Sequence, residues 1–204
     1  MLNSFPYLQI VNSRVVLSRH GNENMTYRYV IGLAWVQRIS IRIIQLGIDG
    51  IHSHMTNTLN TPVEKLEIAY PLRIERYEFR PDSCGGGKWR GGLGIRRDIR
   101  VVDHQTELSL LGDRRVTRPY GIFGGEARDN GSDFIIVDGE ETLVKGKGSV
   151  TLKPGSIISI RTPGGGGYGN SSERPDELVL QDYRDGRISA EYALKHFGLD
   201  LRGK

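Results

Sequence analysis

Two imidazoles, a carboxylate and a row of hydroxyl and amide side chains fall within the run His52-Ser53-His54-Met55-Thr56-Asn57-Thr58-Leu59-Asn60-Thr61-Pro62-Val63-Glu64. The run has neither the alternation of a half-buried strand nor the 3.6-residue period of an amphipathic helix, so it is not built to be core. It offers proton carriers, hydrogen-bond donors and metal ligands at close spacing. His52 and His54 are separated by one residue, and in extended backbone they project to the same side, where they can share a metal ion or relay a proton. With no third ligand in the run, the alternative is an ordinary surface pair. A second charged cluster, Asp113-Arg114-Arg115, follows a predicted strand end. There a guanidinium can grip a carboxylate or phosphate in a fork, or bridge to the neighbouring aspartate.

Glycine is the other informative residue: there are 27, gathered in clusters rather than in a period, which points to specific tight loops. Gly164-Gly165-Gly166-Gly167-Tyr168-Gly169 satisfies G-x-G-x-x-G after a predicted strand. A dinucleotide site also needs a helix opening at the last glycine and an acidic residue ending a second parallel strand about 20 positions on. Neither follows here, so the loop is expected to pack its backbone closely against a neighbouring segment or a ligand. Gly87-Lys88 runs into Trp89 without the earlier glycine of a phosphate loop, and no self-contained ATP site is expected. Trp89, between Lys88 and Arg90, is read either as an anchor at a subunit interface or as a cover over strand ends.

Composition narrows the class. The chain has 204 residues, 37% hydrophobic and 25% charged, which is enough for one ordinary domain with a real core. The single cysteine, Cys84, excludes an internal disulfide and fits a reducing compartment. With no histidine close to it in sequence, it reads as an incidental thiol rather than a nucleophile. Arg38 and Arg42 interrupt the apolar stretch 29–48, so no membrane span is expected. The N-terminus lacks the pattern of a signal peptide, and a cytoplasmic protein is the default expectation. The formal net charge of +4 comes in small groups such as Arg96-Arg97 and Arg114-Arg115 beside Asp98 and Asp113. These read as a solvated mixed-charge surface, or as a complement to an acidic partner subunit, rather than a nucleic-acid site.

What must position the chemistry is mainly β. Residues 72–77, 93–102, 106–111, 134–137 and 157–161 read as strands, with Leu72, Ile74 and Arg76 on one face of the first and Arg73, Glu75 and Tyr77 on the other. Asp138-Gly139 and Pro154-Gly155 mark turns. The expected fold is an antiparallel sandwich or barrel-like body. Two short helices should close the chain, one opening at Pro175-Asp176-Glu177 and one running 190–197 between the cap Ser189 and Gly198. Residues 1–48 form a separate N-terminal segment with strand-like content at 14–17 and 39–44.

From residue 49 onward the wording resembles the hydantoinase B and oxoprolinase family, which opens cyclic amides at the expense of ATP and includes the alpha subunits of acetone carboxylases. The resemblance rests on the HxHMTNTxxTPVE run and on motifs in the family's order: Tyr70-Pro71-Leu72-Arg73, Arg80-Pro81-Asp82-Ser83, the loop 85–94, Asp113-Arg114-Arg115, Gly121-Ile122-Phe123-Gly124-Gly125, Lys153-Pro154-Gly155, the loop 164–169 and Asp185-Gly186. Residues 1–48 do not match, and the family's longer upstream region has no counterpart here, so the chain reads as the C-terminal part of a B-type subunit.

The resemblance implies that His52 and His54 contact substrate or transfer protons, with a divalent metal an option at the pair. Asn57 and Thr58 would hydrogen-bond a polar substrate, and Glu64 would orient a catalytic group or cap the turn after Pro62. Asp113 and Arg114 would bind substrate. It further implies a hydantoinase A-like partner subunit that handles Mg-ATP, this chain binding no cofactor alone, in a hetero-oligomer or homo-oligomer. ATP would phosphorylate the amide carbonyl of a hydantoin or 5-oxoproline before water attacks. The alternatives are an acetone-carboxylase-like subunit, or a non-catalytic remnant that serves assembly.

Overall fold

Period-two alternation between turn residues produces strands throughout the body of the chain. The computed structural model describes the backbone of residues 9–20 and 26–37 and the whole of residues 49–50, 62–112 and 114–203. The strands are β1 (Gln9–His20), β2 (Thr26–Gln37), β3 (Leu72–Phe79), β4 (Ile95–Val101), β5 (Thr106–Gly112), β6 (Ser132–Val137), β7 (Glu140–Val144), β8 (Lys147–Leu152) and β9 (Ile157–Arg161). They form two antiparallel sheets of order β2-β1-β5-β8 and β3-β4-β9-β6-β7. Leu108, Leu110 and Leu152 of the first sheet share a core with Leu72, Ile95, Ile99, Val101, Ile158 and Ile160 of the second. The result is an open sandwich; neither sheet closes into a barrel.

The predicted turns are where backbone geometry demands them. Val137 pairs with Glu140, leaving Asp138 and Gly139 as a two-residue hairpin loop, both with positive φ, 52° and 86°. The polar strands β7 and β8 were not expected from sequence. Exposed through most of their length, they carry little apolar alternation, and their pairing with β6 and β5 defines them. Of the N-terminal expectations, 14–17 lies in β1, which pairs with β5, whereas 39–44 lies outside the described residues.

One face assignment is corrected. The register between β3 and β4 shifts between Ile74 and Arg76, so Ile74 opposes Ile99 and Tyr77 opposes Arg97. A bulge adds one residue to one strand and reverses the inward-outward phase beyond it. Tyr77 and Phe79, rather than Arg76, therefore follow Leu72 and Ile74 on the core side. Arg76 turns with Asp98 to the other face, its Nε 3.6 Å from the Asp98 carboxylate.

Three α-helices are present among the described residues. α1 (Val63–Ala69) extends the turn after Pro62 and drives Leu66 into the core; Glu67 Oε1 accepts the Ile74 N–H at 2.8 Å. α2 (Asp176–Arg184) follows Pro175, with Asp176 and Glu177 at the positive end of its dipole. α3 (Ala190–Phe197) is capped as expected: Ser189 Oγ accepts the Tyr192 N–H at 3.0 Å, and Gly198 stops the helix at φ 72°. A 3-10 turn (Ser171–Glu173) precedes α2. Val179, Ile188, Tyr192, Ala193 and Leu201 pack on Cys84 and Leu93 as a second core.

Candidate functional site

The second core surrounds a buried ion network that fixes the residues just before the His52 to Glu64 run. Asp49 Oδ1 accepts from Arg90 Nη1 and from the Leu93 N–H, both at 2.8 Å, and Asp49 Oδ2 accepts from Arg187 at 3.0 Å. On the far side of Arg90 lies Asp182, 3.0 Å from its Nε at an angle that makes no hydrogen bond, and Asp182 also accepts from Arg174 Nη2 at 2.5 Å. Burial pulls Arg90 down, but the Asp49 hydrogen bonds and the Asp182 charge outweigh it and hold the guanidinium above its ordinary value. The next residue, Gly50, donates its N–H to Leu93 O at 3.3 Å. At the end of the run, Pro62 opens α1 and Leu66 anchors it. His52, His54, Asn57 and Thr58 themselves lie outside the described residues, as does Asp113. Glu64 stands exposed in the first turn of α1, where its charge favours the helix dipole.

The glycine clusters are filled by backbone. Segments 84–94, 120–126 and 162–169 interlace through Gly85 N to Gly165 O, Glu126 N to Gly86 O, Ile122 N to Gly167 O and a reciprocal pair between Trp89 and Tyr168. A Cβ on Gly166 would sit 1.9 Å from Tyr120 O, and one on Gly167 1.9 Å from Gly86 O. Close backbone approach is thus the use of these glycines. Trp89 is half-buried at the edge of this knot. Cys84 is fully buried, and burial pushes its thiol up, so it holds its proton inside the second core.

Arg114 lies in a cleft of about 840 Å³ between the loop after β5 and the connection from β7 to β8. Its backbone is left-handed, φ 58°, and its Nη1 is 3.5 Å from Thr117 Oγ1. Arg115 forms the floor, held by two 2.7 Å hydrogen bonds to buried Asp133, with Gly112, Gly131 and Gly146 pressed against its side chain. Arg118, Lys145 and Lys147 add charge to the walls, and Val116 and Leu143 are exposed there. The cleft suits an anion with an apolar portion. Sequence proximity showed the Arg114 end; pairing of β5 with β8 brings Lys145 and Lys147 to it.

The expectation of a solvated surface fails for two of the basic groups. Arg115 is buried against Asp133, and Arg97 is 1% exposed on the core face of β4 between Ile95 and Ile99. Neither Nε nor Nη1 of Arg97 meets an acceptor among the described residues. The Tyr77 ring lies over its guanidinium, 5.2 Å to the centroid. Burial pulls Arg97 below the ordinary arginine value, with Tyr77 opposing. Such a contact contributes up to about 2 kcal/mol when desolvated, against several kcal/mol to strip a buried ion of water. The period-two count from Ile95 already places Arg97 inward; the stranded donors are visible only in three dimensions. Beside Tyr77, a pocket of about 240 Å³ is bounded by Gly50, Tyr77, Glu78, Phe79 and Ile95.

Among the described residues no group of three or more His, Cys, Asp or Glu side chains could hold a metal ion, and no helix is long and apolar enough to cross a membrane.

A family model described as Hydantoinase B/oxoprolinase matches residues 32–171. The B-type component of a putative D-/L-hydantoinase from Pseudomonas sp. (strain NS671) is 37% identical over 158 residues, covering 76% of this chain and 26% of that protein. The 5-oxoprolinase PfmaA of Pestalotiopsis fici is 40% identical over 142 residues, covering 67% and 11%. Among solved structures, the ATP-dependent caprolactamase from Pseudomonas jessenii superposes with a TM-score of 0.74 at 24% identity, covering 94% of this chain and 35% of that one. A nucleotide-free acetone carboxylase gives 0.72 at 16% identity, covering 91% and 29%. These two show a shared fold. The chain spans about a quarter or less of the curated relatives named here.

Proposed function

Because the chain belongs to the hydantoinase B/oxoprolinase family, we propose that it forms part of the amide-handling site of an ATP-dependent cyclic amide hydrolase and works with a hydantoinase A-like subunit. The observation that carries this reading is the anchoring of the polar run at both ends: Asp49 and Gly50 are tied to Arg90 and Leu93, and α1 is tied through Leu66. A segment poor in apolar side chains receives a rigid frame, as a catalytic loop requires. In this proposal His52 and His54 transfer protons or share a divalent metal, Asn57 and Thr58 orient the amide, and Glu64 orients a neighbouring group. Asp113 and, at the basic cleft, Arg114 bind the charged part of the substrate.

The nucleotide step belongs to the partner. Calorimetric titration of the chain alone with Mg-ATP is expected to give no heat of specific binding, because the glycine loops are packed with backbone. A micromolar dissociation constant would defeat that assignment. The decisive test is co-purification with a hydantoinase A-like subunit followed by an ATP-dependent ring-opening assay on hydantoin and 5-oxoproline. ATP-dependent carboxylation of acetone instead would favour the second reading, which the acetone carboxylase fold suggests. Neither activity in an assembled complex would leave an assembly role.

Trp89 is the proposed interface anchor, half-buried on the rim of the glycine knot. Trp89→Ala should weaken association with the partner or with another copy by about 2 kcal/mol, while the melting temperature of the chain moves little. A collapse in melting temperature with assembly of the remaining folded protein unchanged would return Trp89 to the core.

A further inference from the structure

We propose that Arg97 anchors an oxyanion-binding site, in which a carboxylate or phosphoryl group on a small ligand enters beside Tyr77 and completes the hydrogen bonds of the guanidinium. Its neighbours on the inner face of β4 are Ile95, Ile99 and Val101, all buried aliphatics. A purely structural residue there would be aliphatic too. Instead the strand holds a permanent cation whose Nε and Nη1 meet no acceptor among the described residues. Guanidinium donors match the oxygens of carboxylate and phosphate, and low-dielectric surroundings strengthen such a bond.

The β3 bulge supplies a second, independent observation. By reversing the phase after Ile74 it sets the Tyr77 ring over Arg97 and Phe79 opposite Ile95, and bulges serve to re-aim side chains in this way. Tyr77 and Phe79 are 45% and 52% exposed although they face the core side. Together with Gly50 and Ile95 they border the 240 Å³ pocket. Tyr77 thus borders both the pocket and the cation. Glu78 borders the pocket from the other face of β3, with its carboxylate 3.5 Å from Arg76.

The test uses the full chain alone, without partner or ATP, so its outcome is separate from that of any ring-opening assay. Thermal melts are recorded with sodium acetate or sodium phosphate against sodium chloride at constant ionic strength. The wild type should melt about 4 °C higher at ten times the dissociation constant of the effective anion. Which of the two salts acts identifies the group as carboxylate or phosphoryl. Arg97→Met should abolish the shift and, without anion, melt no lower than wild type, since it removes a stranded charge. If Arg97→Met does not fold, Arg97→Lys is read in its place: loss of the shift supports the site, and an unchanged shift overturns it. No shift with either anion, a shift retained in Arg97→Met, or one removed by Arg118→Ala with Lys145→Ala on the basic cleft overturns the proposal.

Discussion

Alanine at His52 or at His54, in a complex reconstituted with a hydantoinase A-like subunit, is expected to cut ring-opening turnover by on the order of a hundredfold while the melting temperature stays unchanged, the loss typical of a general acid or base. Their spacing of two would put both imidazoles on one side of an extended backbone, within a run that carries no core pattern and lies between Asp49 and α1 in sequence. Rate alone does not separate the two proposed roles. A metal ligand lost to alanine also lowers bound metal, whereas a lost proton carrier does not. Metal content measured by mass spectrometry beside each rate therefore assigns the role. Full turnover in both single variants and in the double variant would remove the run from the mechanism.

The largest stability effect is expected at Asp182. Its carboxylate is 3% exposed and lies between Arg90 and Arg174, whose side chains are wholly buried. Asp182→Asn keeps the shape but takes from Arg174 its paired carboxylate and leaves Arg90 with Asp49, and breaking a buried pair in this way costs about 3–5 kcal/mol. For a chain of this size that corresponds to a fall in melting temperature of roughly 10 °C. Adding Arg174→Met to Asp182→Asn removes the stranded cation and should recover part of the loss. Asp49 hangs on the same Arg90, so the destabilised variant should also show faster amide exchange at Gly50 and Leu93. A melting temperature within a degree of the parent would mean that Arg174 finds another acceptor at once.

Sequence alone determined what is local. Alternation in 93–102, 106–111 and 157–161 identified strands because one face of each must be apolar. Asp138-Gly139 identified a hairpin because both positions need positive φ, and Ser189 with Gly198 bounded α3 because capping is a matter of adjacent atoms. The context around the two glycine loops excluded a nucleotide fold, since those fingerprints require neighbours in sequence. The polar run and its family wording were legible for the same reason. α1 was only hinted at, because its seven residues hold their shape through Leu66 in the core rather than through helix propensity.

What tertiary structure decided is everything that depends on who meets whom. No residue-level rule announces that a bulge after Ile74 turns Tyr77 inward onto Arg97, or that Arg97 Nε and Nη1 meet no acceptor among the described residues, because both follow from the register between β3 and β4 and the packing behind it. The cleft at Arg114 exists because β5 and β8 pair, and the frame around the polar run exists because Asp49, Arg90, Asp182 and Arg174, spread over most of the sequence, converge on one buried cluster. A local pattern fixes backbone geometry and the side a residue faces; the energy of a charge depends on solvent and counter-charges brought in by distant segments, and only the folded chain sets those.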